Sequence, residues 1–284
     1  QSQSGQFIVE GDIALVGNNQ KVYLEYTFFT GSEIVTHIDS TSLTAGKFNF
    51  AGKIDEPSKA TIYCHLFGPS GSKSSLIFFL AQGKTTITAK LNLEFATVGG
   101  TDEAEEFAVL RQESRKFDRQ KINLTDSLID YESKNNKEGI ERFKLKYRLL
   151  QNEIQDSIYI PFFMKHLNSA VGVYALGQIA ANNINDPAKV IKLFSQLSPK
   201  AKKLQSAIDL EKKVEGTKRT AVGAQTLDFT MFDSQGTPIS LSSFKGKYVL
   251  VDFWVCCCLP CRAETPNLIA AYTKYKNKGF TILG

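Results

Sequence analysis

Four of the five cysteines in this chain stand within six positions, in the run Cys256-Cys257-Cys258-Leu259-Pro260-Cys261. Two of them, Cys258 and Cys261, form a Cys-x-x-Cys. The pair follows a β-branched apolar run, Tyr248 to Val251, and opens a helical pattern from Arg262 to Lys278. Cysteines delivered by a strand to the start of a helix meet that helix's unpaired N–H groups and the positive end of its dipole, and both stabilise a thiolate. The second cysteine lies almost one turn further along and can close a disulfide with the first. The chemistry that this arrangement permits is thiol–disulfide exchange, with Cys258 as the attacking sulfur and Cys261 as a buried resolving thiol. Pro260 costs the helix little in its first turn, where its missing N–H would have no intrahelical partner.

Other reactive groups surround the pair. Asp252 sits six residues before Cys258, between the apolar Val251 and Phe253. A carboxylate in an apolar strand must find a partner or stay protonated, unless it faces solvent at the strand end. Glu264 follows Cys261 by three residues and shares its helix face, as an ordinary acid of the first turns would also do. Trp254 is expected to shield the disulfide from water, with core packing as the alternative. Cys257, with Cys256 before it, could compete for Cys261 in a second disulfide or make a soft metal site. Adjacent thiolates without a nearby histidine suit Cu(I) better than tetrahedral zinc.

The rest of the chain must position this cluster. At 284 residues, with 42% hydrophobic and 22% charged residues, it has the length and composition of two or three packed domains. A formal charge of +5 is mild, and the basic clusters (Lys200, Lys202, Lys203; Lys212, Lys213; Lys218, Arg219) lack interleaved aromatics, so no nucleic-acid partner is expected. No apolar run approaches the roughly 18 residues of a membrane span. The polar start, Gln1-Ser2-Gln3-Ser4-Gly5, has neither an initiator Met nor a signal core, so a mature or trimmed start is expected, with any targeting segment or membrane anchor outside this sequence.

Residues 1–100 read as short alternating strands between turns. Val22 to Tyr26 precedes Gly31; Ile34 to Ile38 and Phe48 to Phe50 flank Ala45-Gly46. Thr61 to Phe67 runs into Gly68-Pro69-Ser70-Gly71, and Leu76 to Leu80, Thr85 to Leu91 and Leu93 to Val98 follow. About eight strands at spacings near 8–12 residues predict an all-β sandwich or barrel, with Cys64 as a small core residue. Residues 101–216 change to helical period. Ile140, Phe143, Tyr147, Leu150, Ile154 and Ile158 make one apolar stripe that Pro161 should kink or end. Asp186-Pro187 and Ser198-Pro199 are helix starts, and Gly216 is a helix stop. His37, His65 and His166 read as lone surface or satisfied residues. After a polar linker, residues 217–284 offer a hairpin around Asp233-Ser234-Gln235-Gly236 and then a parallel strand–helix–strand unit ending in Phe280 to Leu283.

From Val222 onward the chain resembles the TlpA/ResA-like thiol–disulfide oxidoreductases of bacterial cell envelopes, a branch of the thioredoxin superfamily that shares the AhpC/TSA-type domain. The resemblance is carried by Val222-Gly223-Ala224-Gln225, Phe229, Gly236, Leu241, Phe244-Lys245-Gly246-Lys247, Asp252-Phe253-Trp254, Cys258-Leu259-Pro260-Cys261-Arg262, Glu264 and Pro266-Asn267-Leu268. Asp39-Ser40-Thr41, Gly46-Lys47-Phe48, Phe79 to Gly83 and Asn168-Ser169 look like the β-rich extension that many such proteins carry in front. The departures are Cys257 where the family commonly has Trp, and Leu-Pro where it has Gly-Pro. The family's fold also calls for further strands, a helix and a cis-proline loop after Leu283, so the sequence is expected to be cut short.

The resemblance implies a multidomain α+β protein: an all-β extension over 1–100, a helical segment over 101–216 and the leading part of a thioredoxin-like domain over 217–284. It implies an oxidoreductase whose only redox group is the Cys258–Cys261 disulfide, with no other cofactor and no resident metal. Its partners would be protein thiols and disulfides and an upstream redox donor, in the periplasm or cell envelope. Asp252 would exchange protons with Cys261, and Glu264 would act near the disulfide. A copper(I) chaperone using Cys257 and Cys261, or a non-catalytic envelope binding module, are the other readings. No Pro-x-x-x-Thr-x-x-Cys precedes any cysteine, which disfavours peroxidase chemistry.

Overall fold

The computed structural model of the chain describes residues 5–14, 20–30, 33–65, 72–90, 92–183 and 186–284. The chain divides into two compact units, Gln1–Ala221 and Val222–Gly284. The β-rich and helical segments lie together in the first.

Among the described residues of the first unit eight strands come before any α-helix: β1 (Gly5–Ile13), β2 (Lys21–Thr30), β3 (Glu33–Ser42), β4 (Lys47–Ile54), β5 (Ser58–His65), β6 (Lys73–Leu80), β7 (Gly83–Ala89) and β8 (Thr97–Gly99). They make two four-stranded sheets, ordered β4-β1-β7-β8 and β3-β2-β5-β6. All neighbours are antiparallel except β1 and β7, which run parallel from Phe7↔Gly83 to Ile13↔Ala89. Alternation decides the packed face. Along β1, Phe7, Val9 and Ile13 are buried while Ile8 between them is exposed. Inward side chains of both sheets, Val9, Phe48 and Phe50 from one and Leu24, Ile62 and Phe78 from the other, join one core. The result is a sandwich, as expected. Cys64 lies wholly inside this core, and burial pushes its thiol pKa up.

The strand expected over Leu93 to Val98 is instead a 3-10 turn, Leu93–Phe95, followed by β8. A strand would place Leu93 and Phe95 on one face. The turn separates them, so that Leu93 is fully buried and Phe95 is 65% exposed. Ser74 Oγ accepts the Leu93 N–H at 2.9 Å and holds the turn. Ala45 and Gly46 do form a tight corner, both with positive φ, 51° and 77°. The expected turns at Gly31 and Gly68 to Gly71 lie outside the described residues.

Among the described residues seven α-helices follow: α1 (Asp102–Ser114), α2 (Asp118–Ser133), α3 (Lys137–Ile154), α4 (Ile160–Lys165), α5 (Ala170–Asn182), α6 (Pro187–Phe194) and α7 (Gln205–Arg219). They share a second core with Phe79 of β6. Of the apolar stripe on α3, only Leu150, Ile154 and Ile158 are buried, while Tyr147 is exposed. A π-turn, Gln155–Tyr159, joins α3 to α4, whose second residue is Pro161. Proline has no N–H to continue the α ladder and its ring crowds the preceding turn, so the helix widens there. Asp186 caps α6 through Lys189 N–H at 3.2 Å, and Ser198 Oγ accepts from Ala201 N–H at 3.1 Å. Gly216 is not a stop. It lacks the left-handed φ that a glycine stop requires, and α7 runs past it to Arg219, where the Thr220 hydroxyl donates to the Gly216 carbonyl at 3.1 Å.

The second unit contains β9 (Thr230–Phe232), β10 (Pro238–Ser240), β11 (Tyr248–Val251), α8 (Leu259–Tyr275) and β12 (Phe280–Leu283). Strands β9 and β10 form the expected hairpin. Its turn is organised by Asp233, whose carboxylate accepts the N–H groups of Gln235 at 2.9 Å and Thr237 at 2.8 Å. Those bonds, Thr237's first, hold its pKa below the usual carboxylate value. Strands β11 and β12 are parallel, paired from Tyr248↔Phe280 to Val251↔Leu283, with α8 as their crossover. Gly279 reverses the chain at φ 78°.

Candidate redox site

Local chemistry begins α8 earlier than the apolar pattern indicated, at Leu259 rather than Arg262. That shift makes Cys258 the N-cap and Cys261 the third helical residue, the spacing at which a capping side chain reaches a backbone N–H. Cys258 Sγ accepts the Cys261 N–H at 3.1 Å, and the Arg262 N–H bonds the Cys258 carbonyl at 3.1 Å. The sulfur thus stands where Ser or Asp commonly caps a helix, facing the unpaired amides of the first turn. Pro260 occupies the second helical position and removes one amide that would otherwise lack a partner. Cys258 and Cys261 are joined in a disulfide.

The approach to the cap is a turn after β11, closed by the Cys258 N–H bonding Val255 O at 3.0 Å. Cys256 and Cys257 sit on it as free, exposed thiols. Cys258 and Cys261 are partly buried, so Cys261 is less enclosed than a buried resolving thiol. In this unit β11 and β12 form a two-stranded sheet, and none of its side chains reaches full burial among the described residues. Phe253, Trp254, Val255 and Leu259, close to the pair in sequence, are exposed apolar side chains, with Phe253 at 89%.

Asp252 follows the last residue of β11, and its N–H extends the ladder to Leu283 O at 2.8 Å. Its carboxylate makes no hydrogen bond to either sulfur among the described residues. Trp254 is 57% exposed and lies against Gly284, where an added Cβ would come within 3.2 Å of the indole Nε1. Glu264 is exposed on α8 and accepts from Asn267 Nδ2 at 3.1 Å. The structure therefore joins Cys258 and Cys261 in one bonded unit, and among the described residues neither Asp252 nor Glu264 makes a hydrogen bond to its sulfurs. Among the described residues no cluster of three or more His, Cys, Asp or Glu side chains could hold a metal.

Sequence reasoning missed the partners of His166. This histidine is part-buried, stacked on Phe162 with ring centroids 4.1 Å apart, and its Nδ1 is 3.1 Å from Glu106 Oε1. Glu106 also accepts the Ser169 hydroxyl, so one carboxylate ties α1 to the start of α5. Nothing local in the sequence links residues sixty positions apart.

A parallel strand–helix–strand unit with a cysteine pair capping its helix defines a thioredoxin-like thiol–disulfide unit, and residues 222–284 match the AhpC/TSA family. Residues 7–107 match a domain of unknown function, DUF4369, a stretch that runs from β1 into α1. Over 62 residues the chain is 40% identical to the thiol-disulfide oxidoreductase ResA of Bacillus thuringiensis, covering 22% of this chain and 36% of that protein. Over 47 residues it is 40% identical to the protein DipZ of Mycobacterium bovis, covering 16% of this chain and 7% of that one. Among solved structures it is similar to the thioredoxin domain of a thiol-disulfide oxidoreductase from Bacteroides vulgatus. The identity there is 52%, over 21% of this chain and 43% of that chain, with a TM-score of 0.21. The chain thus spans about a third of the length of the ResA proteins it matches. No helix among the described residues is long and apolar enough to cross a membrane.

Proposed function

We propose that the chain exchanges disulfides with protein thiols in the bacterial cell envelope, using Cys258 and Cys261. The observation that carries this reading is the disulfide built into the cap of a 17-residue helix, with one sulfur already accepting a first-turn amide. In the reduced protein that amide and the helix dipole would stabilise the Cys258 thiolate. The thiolate attacks one sulfur of a partner disulfide and the other partner sulfur leaves as a thiolate, which gives a mixed disulfide on Cys258. Cys261, deprotonated, then attacks Cys258 Sγ and expels the partner's second thiolate. Two electrons pass to the partner, and the Cys258–Cys261 bond is restored. An upstream dithiol donor reduces it again by the same two steps in reverse, with no other cofactor.

Asp252 is assigned as the group that takes the Cys261 proton, a role supported by its position one residue beyond β11. Glu264 and Trp254 would tune the pair's environment, Pro260 fixes the first turn, and Cys257 stands exposed beside the nucleophile. Insulin reduction by the full-length protein tests the proposal. Activity should fall to background in Cys258→Ser, and Cys261→Ser should accumulate a mixed disulfide visible by intact mass. Full activity in Cys258→Ser would overturn the assignment.

A further inference from the structure

The first unit carries a pocket of about 740 Å³, open to solvent on one side and lined by no cysteine. Its size falls within the range of small-molecule sites. Strand β6 contributes Phe79 to its wall, where Phe79, Phe107 and Tyr174 pack mutually at centroid distances of 5.2, 5.8 and 5.4 Å. Helices α5, α6 and α7 contribute Val173, Val190 and Val214 to the lining. The space exists because α5 turns small residues toward it. A Cβ built on Gly177 meets no atom within 4 Å, although Gly177 lies in mid-helix.

The charged lining is asymmetric. Glu56 is 7% exposed, and its carboxylate is occupied by the Gln205 and Ser206 N–H groups at the start of α7. Asp209 accepts from Gln205 Nε2 at 2.9 Å and lies 3.8 Å from Lys212 Nζ. Lys59 and Lys213 also line the cavity and are exposed, and neither has a carboxylate partner among the described residues. An apolar interior whose acids are already engaged, with two unpaired ammonium groups on it, selects for a ligand with an apolar body and an anionic head. The geometry points to this cavity as a binding site for a single-chain amphiphile with an anionic head group, such as a long-chain carboxylate.

Palmitate, hexadecyltrimethylammonium and acetate are the probes, titrated into the delipidated full chain by calorimetry and followed by native mass spectrometry. One palmitate per chain is expected, with the cationic amphiphile and acetate binding at least about tenfold more weakly, as loss of both the charge match and the apolar contact requires. Lys59→Glu with Lys213→Glu alters only exposed side chains and should weaken palmitate about tenfold or more by charge reversal, with the melting temperature kept. Gly177→Leu fills the vacant space and should abolish binding, and Gly177→Ala is the milder variant if the leucine form does not fold. Three results would overturn the inference: no palmitate binding up to its solubility limit, equal binding of the cationic amphiphile, or unchanged palmitate affinity in the folded lysine double variant.

Discussion

A cysteine at the N-cap differs from one inside a helix because its sulfur can accept a first-turn amide without breaking the helical ladder. Cys258 does so while bonded to Cys261, and the Cys-x-x-Cys spacing therefore coincides with the N-cap-to-N3 spacing of a capping box. If Asp252 accepts the Cys261 proton, Asp252→Asn should slow resolution of the mixed disulfide by about 10²-fold while leaving its formation nearly intact, the lower end expected for loss of a general base. Quenched-flow trapping separates the two steps, and equal slowing of both would remove Asp252 from the role. Asp233 offers a second test at this scale. Its pKa is lowered in the folded hairpin, so its contribution to stability is present above the ordinary carboxylate pKa and is lost as pH falls through the lowered value. The amide shifts of Gln235 and Thr237 should titrate together below about pH 4, near the ordinary aspartate value, and Asp233→Ala should erase that titration.

Among the elements, α5 shows how one helix can carry two glycines of opposite meaning. At Gly172 an added Cβ would fall 1.9 Å from the His166 carbonyl oxygen, so the helix can approach the preceding turn only without a side chain. Gly172→Ala should cost about 1–3 kcal/mol, the range of overpacking at a rigid contact. Gly177→Ala, facing open space, should gain about 0.5–1 kcal/mol from helix propensity alone. Urea denaturation of the two variants reads the difference directly, and equal signs would contradict the geometry. The helix starts at Asp186-Pro187 and Ser198-Pro199 were legible because a cap and a proline act within four residues. The start of α8 was displaced by one turn because the apolar period does not register a sulfur cap. Gly216 was misread as a stop, since a glycine ends a helix only when its φ becomes positive, and nothing in the residue type forces that.

For the molecule as a whole, the first unit holds both buried cores found among the described residues. Phe78, wholly inside the sandwich, should cost about 3–5 kcal/mol when replaced by alanine, seen as a lower urea midpoint. Alkaline pH should loosen the same unit. Burial first, then the nearby Tyr159, pushes the Tyr174 pKa from 10.0 up to about 12. A raised pKa means that the neutral phenol is favoured in the folded state. That contribution is complete below pH 10 and fades as pH rises toward about 12. Tyr174→Phe should flatten the fall in stability over that interval, and an unchanged slope would show that Tyr174 does not ionise with unfolding.

By itself the sequence determined the β-rich start, the helical middle, the hairpin, the parallel unit and the cysteine pair at a helix start. Each depends on side-chain alternation, caps or turns acting within a few residues. Tertiary structure alone decided that only half of the α3 stripe is buried, that Leu93 turns inward while Phe95 does not, that Glu106 gathers His166 and Ser169, and that small residues on α5 leave a cavity. Those outcomes depend on what packs opposite a side chain. The packing partners come from distant parts of the chain, and no local pattern encodes them.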